Sequence, residues 1–258
     1  MTRATAEGTG SGMRAEFDTF AAWTTSAVQS LGGGLAVPAA CRGSGSPAAL
    51  TWLLEATRVH RGTPMLDIGA GLGGPAEFAR RTRGVLPVCV DPMPQACQGA
   101  QDLFGLTTVR ADACRIPFAD KSFHFAWSLG TLCTTGDRPA WLAEWARVLD
   151  RGARLGVLVL ASTGESFDIP EGNSFPSLAE LDHLWAGAGF YPVRQRWTWQ
   201  GRRPDPDWRT AQEQVSQRIA LMHGSERLYA VVQDRERLLG RLIESGRVRG
   251  LLVVAVRA

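Results

Sequence analysis

A glycine-rich turn follows an apolar segment in the first half of this 258-residue chain. Gly69, Gly71 and Gly74 come directly after the apolar run 64–68, and a helical pattern follows them. Glycine is needed where a ligand must approach the backbone more closely than a side chain permits, and a helix N-terminus presents free N–H groups. This spacing alone is weak evidence. Asp67 lies two positions before the first glycine, where a dinucleotide-binding fingerprint usually carries an apolar residue. This acid therefore argues against a dinucleotide as the ligand.

Two further acids end the next two apolar runs. Asp91 follows Gly69 by 22 residues, a position from which a carboxylate can accept hydrogen bonds from both ribose hydroxyls. Asp112 lies 21 residues further on and could accept a hydrogen bond from an adenine amino group. Ligands of doubly wound sheets bind at the carboxyl ends of the strands, so we expect the three acids to converge on one crevice. The pattern indicates a nucleoside ligand, although each acid could instead cap a turn.

The segments around these residues alternate between short apolar runs and helical patterns. Such alternation is typical of a parallel sheet with helices on both faces. The apolar runs predict strands over 64–68, 85–90, 107–111, 124–129, 154–160, 191–199 and 247–256. The helical patterns predict helices over 75–83, 94–104, 139–149 and 177–188, and two amphipathic helices on either side of Gly224.

The chain divides into a core and coverings. Residues 1–12 are rich in Thr, Ala, Gly and Ser, which predicts a disordered tail. Residues 13–60 predict an N-terminal helical cap, in which Ser46 is an N-cap candidate. The core is expected over 61–200, a helical insertion or lid over 201–246, and the final core strand over 247–258.

Composition excludes several classes of protein. The chain has 28 basic and 25 acidic residues, a net charge of +3, which argues against a nucleic-acid partner. Its apolar runs are far shorter than the roughly 20 residues of a membrane span, and residues 1–12 lack an apolar signal core. We therefore expect a cytoplasmic protein without a membrane partner. The five cysteines form no CxxC pair and have no histidine at ligand spacing, so neither a disulfide framework nor a metal site is expected.

The turn and the strand ends resemble the class I S-adenosylmethionine-dependent methyltransferases that act on small molecules. The similar segments are 66–74, 90–91, 111–113, 116–123 and 141–160. Together with the predicted elements, the resemblance implies an α/β fold with a doubly wound, Rossmann-like, seven-stranded sheet. The final strand is expected to be antiparallel, with a helical cap before the sheet and a helical insertion between the last two strands.

The resemblance implies S-adenosylmethionine as cofactor, S-adenosylhomocysteine as product, and a role for each strand end. Asp67, Gly69 and Gly71 would lie at the methionine end of the cofactor. Ser128 and Leu129, at the end of the fourth strand, would pass beside the methionine and the transferable methyl group.

The adenosine end would be held by residues of the second and third strands. Asp91 would bind the ribose, and Asp112 with the Ala113 amide would read the adenine.

These inferences predict a methyltransferase acting on a small, hydrophobic or aromatic molecule, with secondary metabolism as the suspected setting. The methyl donor is a sulfonium, so the protein need only align a nucleophile in line with the methyl and exclude water, without a metal. Two alternatives stay open. One is an NAD(P)-dependent oxidoreductase, and the other is a protein of the same fold that binds S-adenosylmethionine without methylating, as a cyclase or a binding module. A monomer and a homodimer are equally compatible with the sequence.

The acceptor site is expected where the cap and the insertion cover the sheet. If the acceptor is a hydroxyl or an amine cation, a base must remove a proton, and histidine is the commonest choice. His223, between the two insertion helices, is the candidate, with a solvated helix end as the alternative. The side chains expected to line the acceptor site are Trp23, Cys133, Trp197, Trp199 and Trp208.

Overall fold

The computed structural model describes residues 4–164, 167–198 and 205–258. Its strands are β1 (Pro64–Ile68), β2 (Leu86–Asp91), β3 (Thr107–Arg110), β4 (Phe123–Leu129), β5 (Leu149–Ser162), β6 (Phe190–Trp197) and β7 (Val248–Arg257). Its α-helices are α1 (Ala4–Leu31), α2 (Ala36–Ala40), α3 (Pro47–Thr57), α4 (Gly74–Arg83), α5 (Pro94–Phe104), α6 (Arg138–Val148), α7 (Leu178–Gly187), α8 (Pro206–His223) and α9 (Arg227–Glu244).

The strands form one sheet in the order β3-β2-β1-β4-β5-β7-β6. The five strands from β3 to β5 pair in parallel, and β7 is antiparallel to both of its neighbours, β5 and β6. The predicted fold class is therefore confirmed, including the antiparallel final strand. The carboxyl ends of β1, β2, β3 and β4 lie side by side at one edge of the sheet.

Both faces of the sheet are buried under helices. Neighbouring residues of each central strand point to opposite faces and so pack into different clusters. Met65 packs into an apolar cluster with residues of α3, α4 and α5. Leu66, the next residue of β1, packs into a second cluster with residues of α6 and α7. Continuous apolar runs in β1, β5 and β7 are the sequence signature of such doubly covered strands.

Capped ends fix where several helices begin. Ser46 Oγ accepts a hydrogen bond from the Ala49 amide at 3.3 Å, and Pro47 occupies the first turn of α3, as predicted. Asp137 caps α6 and Ser177 caps α7 in the same way. The caps satisfy backbone donors that the first helical turn leaves unpaired.

The prediction of a disordered tail over residues 1–12 is wrong from Ala4 onwards, because α1 begins there. Alanine and glutamate in this segment favour a helix, and extending a helix that already exists is easier than nucleating one. Further along α1, Met13 and Phe20 are buried against the rest of the protein. The predicted cap thus begins before residue 13.

The cap and the insertion pack on each other. Trp23 and Val28 of α1 share an apolar cluster with Val215 and Ile219 of α8. The helices α8 and α9 flank Gly224, as the spacing predicted. Among the described residues, every helix is too short or too polar to span a lipid bilayer.

Candidate functional site

The turn after β1 is built from glycines in the left-handed region of backbone space. Gly69 has φ 71° and Gly71 has φ 54°, values that favour glycine. A Cβ on Gly69 would collide with Thr131 in the loop after β4, whereas a Cβ on Gly71 would have no neighbour within 4 Å. The first glycine lets the next loop approach, and the second leaves open space above the N-terminus of α4.

Asp91, the last residue of β2, closes this turn. Its Oδ2 accepts a hydrogen bond from the Gly71 amide at 2.8 Å and its Oδ1 accepts one from the Met93 amide at 3.0 Å. Burial raises the pKa of Asp91 to about 6, although both amides lower it. Because each carboxylate oxygen can accept two hydrogen bonds, the group retains capacity for a ligand's hydroxyls.

Asp67 is a buried carboxylate without a matching donor. It is 2% exposed, and its Oδ2 has no hydrogen-bond partner among the described residues. Burial raises its pKa to about 7, the nearby indole N–H of Trp127 lowers it, and the charge of Asp91 raises it. Trp127 Nε1 itself makes no well-formed hydrogen bond. An unpaired buried carboxylate is costly, so the position suits a ligand that brings a cationic donor.

Asp112 follows β3 and is paired from two sides. Its Oδ1 accepts a hydrogen bond from the Cys114 amide at 3.2 Å, and its Oδ2 forms an ion pair with Arg14 of α1. Burial opposes the charge, but these donors outweigh it and hold the pKa of Asp112 below its ordinary value. The following residue, Ala113, is buried, and its carbonyl accepts a hydrogen bond from Trp145 Nε1 at 3.1 Å.

Ser128 and Leu129 end β4, below the loop that follows it. Ser128 is fully buried, and its Oγ donates to the Ile68 carbonyl at 2.9 Å and hydrogen bonds with Thr131 Oγ1. Together these two hydrogen bonds join the end of β1 to the loop after β4. Leu129 is 5% exposed and packs in the core below the loop. The Ser128 hydroxyl therefore positions the loop.

The structure brings the predicted cofactor-binding residues to one edge of the sheet. Asp67 and Gly71 follow from β1, Asp91 from β2, Asp112 from β3 and Ser128 from β4, which are four neighbouring strands. Within the described ranges, no three His, Cys, Asp or Glu side chains come together as candidate metal ligands.

The predicted acceptor residues are placed less uniformly. Trp23 is buried and stacks on His223, with ring centroids 4.3 Å apart and planes 9° from parallel. His223 Nδ1 hydrogen bonds with Glu226 Oε1 at 2.7 Å. Cys133 is buried, and its Sγ donates to the Gly130 carbonyl at 3.1 Å. Burial raises the pKa of this thiol to about 11, so Cys133 is a neutral thiol near pH 7.

The structure packs two of the other predicted tryptophans, Trp197 and Trp208, against side chains of other elements. Trp197 ends β6, three strands from β4 and thus about 14 Å away across the sheet. The insertion of β7 between β5 and β6 causes this separation, and Trp197 is covered instead by Arg249, 4.8 Å from its ring centroid. Trp208 packs edge-on against Phe78 of α4, with centroids 6.1 Å apart. Trp199 lies outside the described residues.

Sequence reasoning missed residues of α1 and of the loop after β4. Arg14 pairs with Asp112, and Asp18 Oδ1 accepts a hydrogen bond from the Gln95 amide at 2.7 Å. Thr131 contacts the Gly69 backbone. Only Thr131 had a local signal, because it lies in the loop that follows the fourth strand. Nothing local links Arg14 to an aspartate 98 residues away.

Comparison with known proteins agrees with this geometry. Residues 66–157 match the protein family described as methyltransferase domain. This segment is thus similar to methyltransferase domains, and the curated relatives that the chain matches are methyltransferases. The matched segment runs from β1 into β5 and so contains Asp67, Asp91, Asp112 and Ser128. The resemblance and the cofactor predicted from the sequence are confirmed.

Curated relatives and a solved structure give the extent of the similarity. The chain is 32% identical over 128 residues to the methyltransferase GfsG of Streptomyces halstedii, a match covering 45% of each protein. It is 31% identical over 139 residues to the O-methyltransferase resE of Aspergillus sclerotiorum, covering 46% of this chain and 53% of that protein. The matches thus span about half the length of these relatives. The [4+2]-cyclase SpnF shares the fold with a TM-score of 0.66 at 20% identity, over 83% of both chains.

Proposed function

We propose that this chain is an enzyme that transfers the methyl group of S-adenosylmethionine to a small, hydrophobic or aromatic molecule, in a setting of secondary metabolism. The observation that carries this proposal is that Asp67, Asp91 and Asp112 lie at the carboxyl ends of three neighbouring strands, beside the open space at Gly71 and within the segment that matches a methyltransferase domain. A dinucleotide has no ammonium group to pair with a buried carboxylate at Asp67. A methyltransferase is therefore favoured over an NAD(P)-dependent oxidoreductase.

The buried acids fit the polar groups of the cofactor. The unpartnered Oδ2 of Asp67 suits the ammonium of the methionine end, and the free acceptor capacity of Asp91 suits the ribose hydroxyls. Asp112 and the Ala113 amide would receive the adenine. When bound, S-adenosylmethionine supplies an electrophilic methyl group on a sulfonium.

The protein would then align the acceptor and exclude water. The loop that follows β4 is held by the Ser128 hydroxyl and by the Gly69 turn, which gives the loop a fixed position. Cys133 is buried in an apolar cluster with Phe175 and Leu242 and would support the loop from within.

His223 is the candidate base for a hydroxyl or amine acceptor. Glu226 binds Nδ1 and Trp23 covers one face of the ring, so an acceptor must reach Nε2 in the plane of the ring. We expect His223→Gln to lower kcat by about 10²- to 10⁴-fold while the affinity for S-adenosylhomocysteine is unchanged. An unaltered kcat would show that His223 only packs against α1.

Calorimetric titration with S-adenosylhomocysteine tests cofactor binding. Asp91→Ala removes the acceptor of the ribose hydroxyls, and charge-assisted hydrogen bonds of this kind contribute about 1.5–3 kcal/mol each, so affinity is expected to fall at least about tenfold. Asp150→Ala is the matched control, because Asp150 lies at the start of β5, at the opposite edge of the sheet. Equal affinity in Asp91→Ala and wild type would refute the proposed site.

A pair of glycine variants tests the open space directly. Gly71 and Gly105 both have positive φ, at 54° and 63°, and neither would bring a Cβ within 4 Å of another residue. Alanine at either position therefore carries a similar backbone strain, about 1–2 kcal/mol. Only Gly71→Ala is expected to abolish binding of S-adenosylhomocysteine, since Gly105 lies beyond the end of α5. Retained binding in Gly71→Ala would refute the proposal.

Methyl transfer itself is tested by incubating the protein with S-adenosylmethionine and a panel of apolar and aromatic acceptors. Formation of S-adenosylhomocysteine that depends on an acceptor supports the enzyme. A protein that binds S-adenosylhomocysteine with intact dependence on Asp91, yet forms none with any acceptor, would be the non-methylating alternative.

A further inference from the structure

One face of α1 covers the edge of the sheet that would hold adenosine. Arg14, Asp18 and Thr25 are spaced by four and seven residues and therefore lie on the same helix face. Arg14 reaches Asp112, Asp18 accepts a hydrogen bond from the Gln95 amide, and Thr25 packs so closely on Gly99 that a Cβ there would collide with it. α1 is thus seated along α5 and over the end of β3.

Both oxygens of Asp112 are engaged in this arrangement. Oδ1 accepts from the Cys114 amide within its own turn, which is fixed by the backbone. Oδ2 is paired with the guanidinium of Arg14, whose side chain is 52% exposed. Of the two donors, Arg14 is the one that can leave without any change in the turn.

We propose that Arg14 competes with the adenine amino group for Asp112, so that the cofactor binds more tightly when the guanidinium leaves that carboxylate. This inference rests on the proposed function, because it takes Asp112 as the acceptor of the adenine. The rest of α1 can stay in place during the exchange, since Asp18 and the ion pair between Glu16 and Arg235 of α9 anchor the helix independently.

The competition predicts an unusual direction for a charge-removing variant. Removing a residue at a binding site ordinarily weakens binding, and that result is expected here if Arg14 merely holds Asp112 in position. If Arg14 competes, Arg14→Gln tightens binding instead. An exposed ion pair contributes up to about 1 kcal/mol, so the gain in affinity is about two- to fivefold.

The experiment is a calorimetric titration with S-adenosylhomocysteine and, separately, with adenosine. We expect Arg14→Gln to lower both Kd values by about two- to fivefold. Adenosine serves as a second probe because it lacks the methionine end and meets only the adenosine subsite. Arg115→Gln is the matched control: it removes an arginine from the loop that carries Asp112, three residues further on, and is expected to leave both Kd values unchanged.

Salt gives a second readout. Raising the salt concentration from about 0.05 M to about 0.5 M screens the exposed pair between Arg14 and Asp112, so wild-type affinity for uncharged adenosine is expected to rise. The Arg14→Gln variant should lose this dependence. A double-mutant cycle completes the test, since Arg14→Gln is expected to have no effect in an Asp112→Asn background, where the amide oxygen still accepts a hydrogen bond.

Weaker or equal binding by Arg14→Gln would overturn the competition, as would a gain that persists with Asp112→Asn or that is absent for adenosine. These results are distinct from failure of the proposed function. If wild-type protein binds neither ligand, or if Asp91→Ala binds both normally, the cofactor site itself is wrong. If Asp91→Ala loses binding while Arg14→Gln gains none, only the competition is wrong.

Discussion

Asp67→Asn is expected to stabilise the protein at high pH and to weaken cofactor binding. The carboxyl group is 2% exposed, and burial raises its pKa from the ordinary value of 3.8 to about 7. A raised pKa means that the folded protein holds the proton more tightly than the unfolded chain does. Asp67 therefore favours folding most below about pH 4, and this contribution is lost as the pH rises towards 7.

The magnitude follows from the two pKa values. At pH 5 the unfolded carboxyl is already ionised while the folded one is protonated, and each pH unit over which this difference persists is worth about 1.36 kcal/mol. The loss is therefore about 2.3 kcal/mol between pH 5 and pH 7 and about 2.7 kcal/mol by pH 8.5. An amide does not titrate and escapes this loss. The titration of Asp91 is present in both proteins and largely cancels. At pH 5 the wild-type carboxyl is still protonated in the folded state, so the amide gains little and must bury an NH₂ group. The free energy of unfolding of the variant is then expected to equal that of wild type or to fall slightly below it.

The assay is thermal unfolding without ligand, at several pH values from 5 to 8.5. For a domain of this size, 1 kcal/mol shifts Tm by about 2 °C, so the Tm of Asp67→Asn relative to wild type is expected to rise by about 5 °C across this range. Asp182→Asn, at an exposed position of α7, should show no such trend. A Tm difference that stays constant with pH would refute the reasoning that Asp67 is buried without a partner.

Three further predictions concern the same region. Gly74→Ala places a Cβ 2.5 Å from the backbone carbon of Ala40, so we expect Tm to fall by about 2–6 °C in thermal unfolding, whereas Gly240→Ala in α9, with no neighbour within 4 Å, should be neutral or stabilising. Cys133, with its pKa raised to about 11, should resist iodoacetamide at pH 8 in intact-mass analysis until the protein is denatured. Binding of S-adenosylhomocysteine near pH 7 should release protons, because an ammonium beside Asp67 lowers the pKa of its carboxyl group. Calorimetry in buffers of different ionisation enthalpy measures the number of protons released, and Asp67→Asn should reduce that number.

The parts of the site that the sequence could predict depend on local structure. A strand, a turn that needs positive φ and a helix are adjacent in sequence, so the role of Gly69 and Gly71 can be inferred without knowing the rest of the fold. Asp91 follows one strand later in a parallel sheet, and the geometry of that sheet brings it beside the turn. The predicted helix 94–104 has the same bounds as α5, because proline begins it and Gly105 ends it.

The acceptor side could not be predicted in the same way, since it depends on contacts between distant segments. Trp197 was expected near the acceptor, but strand order decides its place, and β7 separates β6 from the crevice. Trp23 and His223 are 200 residues apart, and only the packing of α1 on α8 stacks their rings. The start of α1 was missed because composition describes the isolated segment and says nothing of the helix that continues it.

The carboxylates at the two ends of the crevice differ in whether they already have a partner. The two ends of the cofactor are therefore expected to contribute unequally to the binding free energy. At the end nearest Gly71, Asp67 is buried and has no partner for its Oδ2, so a ligand that brings an ammonium relieves an existing cost. At the end nearest β3, Asp112 is already paired with Arg14, so an adenine there competes with an existing contact. Most of the binding free energy should then come from the amino-acid end. Adenosine alone is expected to bind much more weakly than S-adenosylhomocysteine, and Asp67→Asn should reduce the affinity of the second ligand towards that of the first.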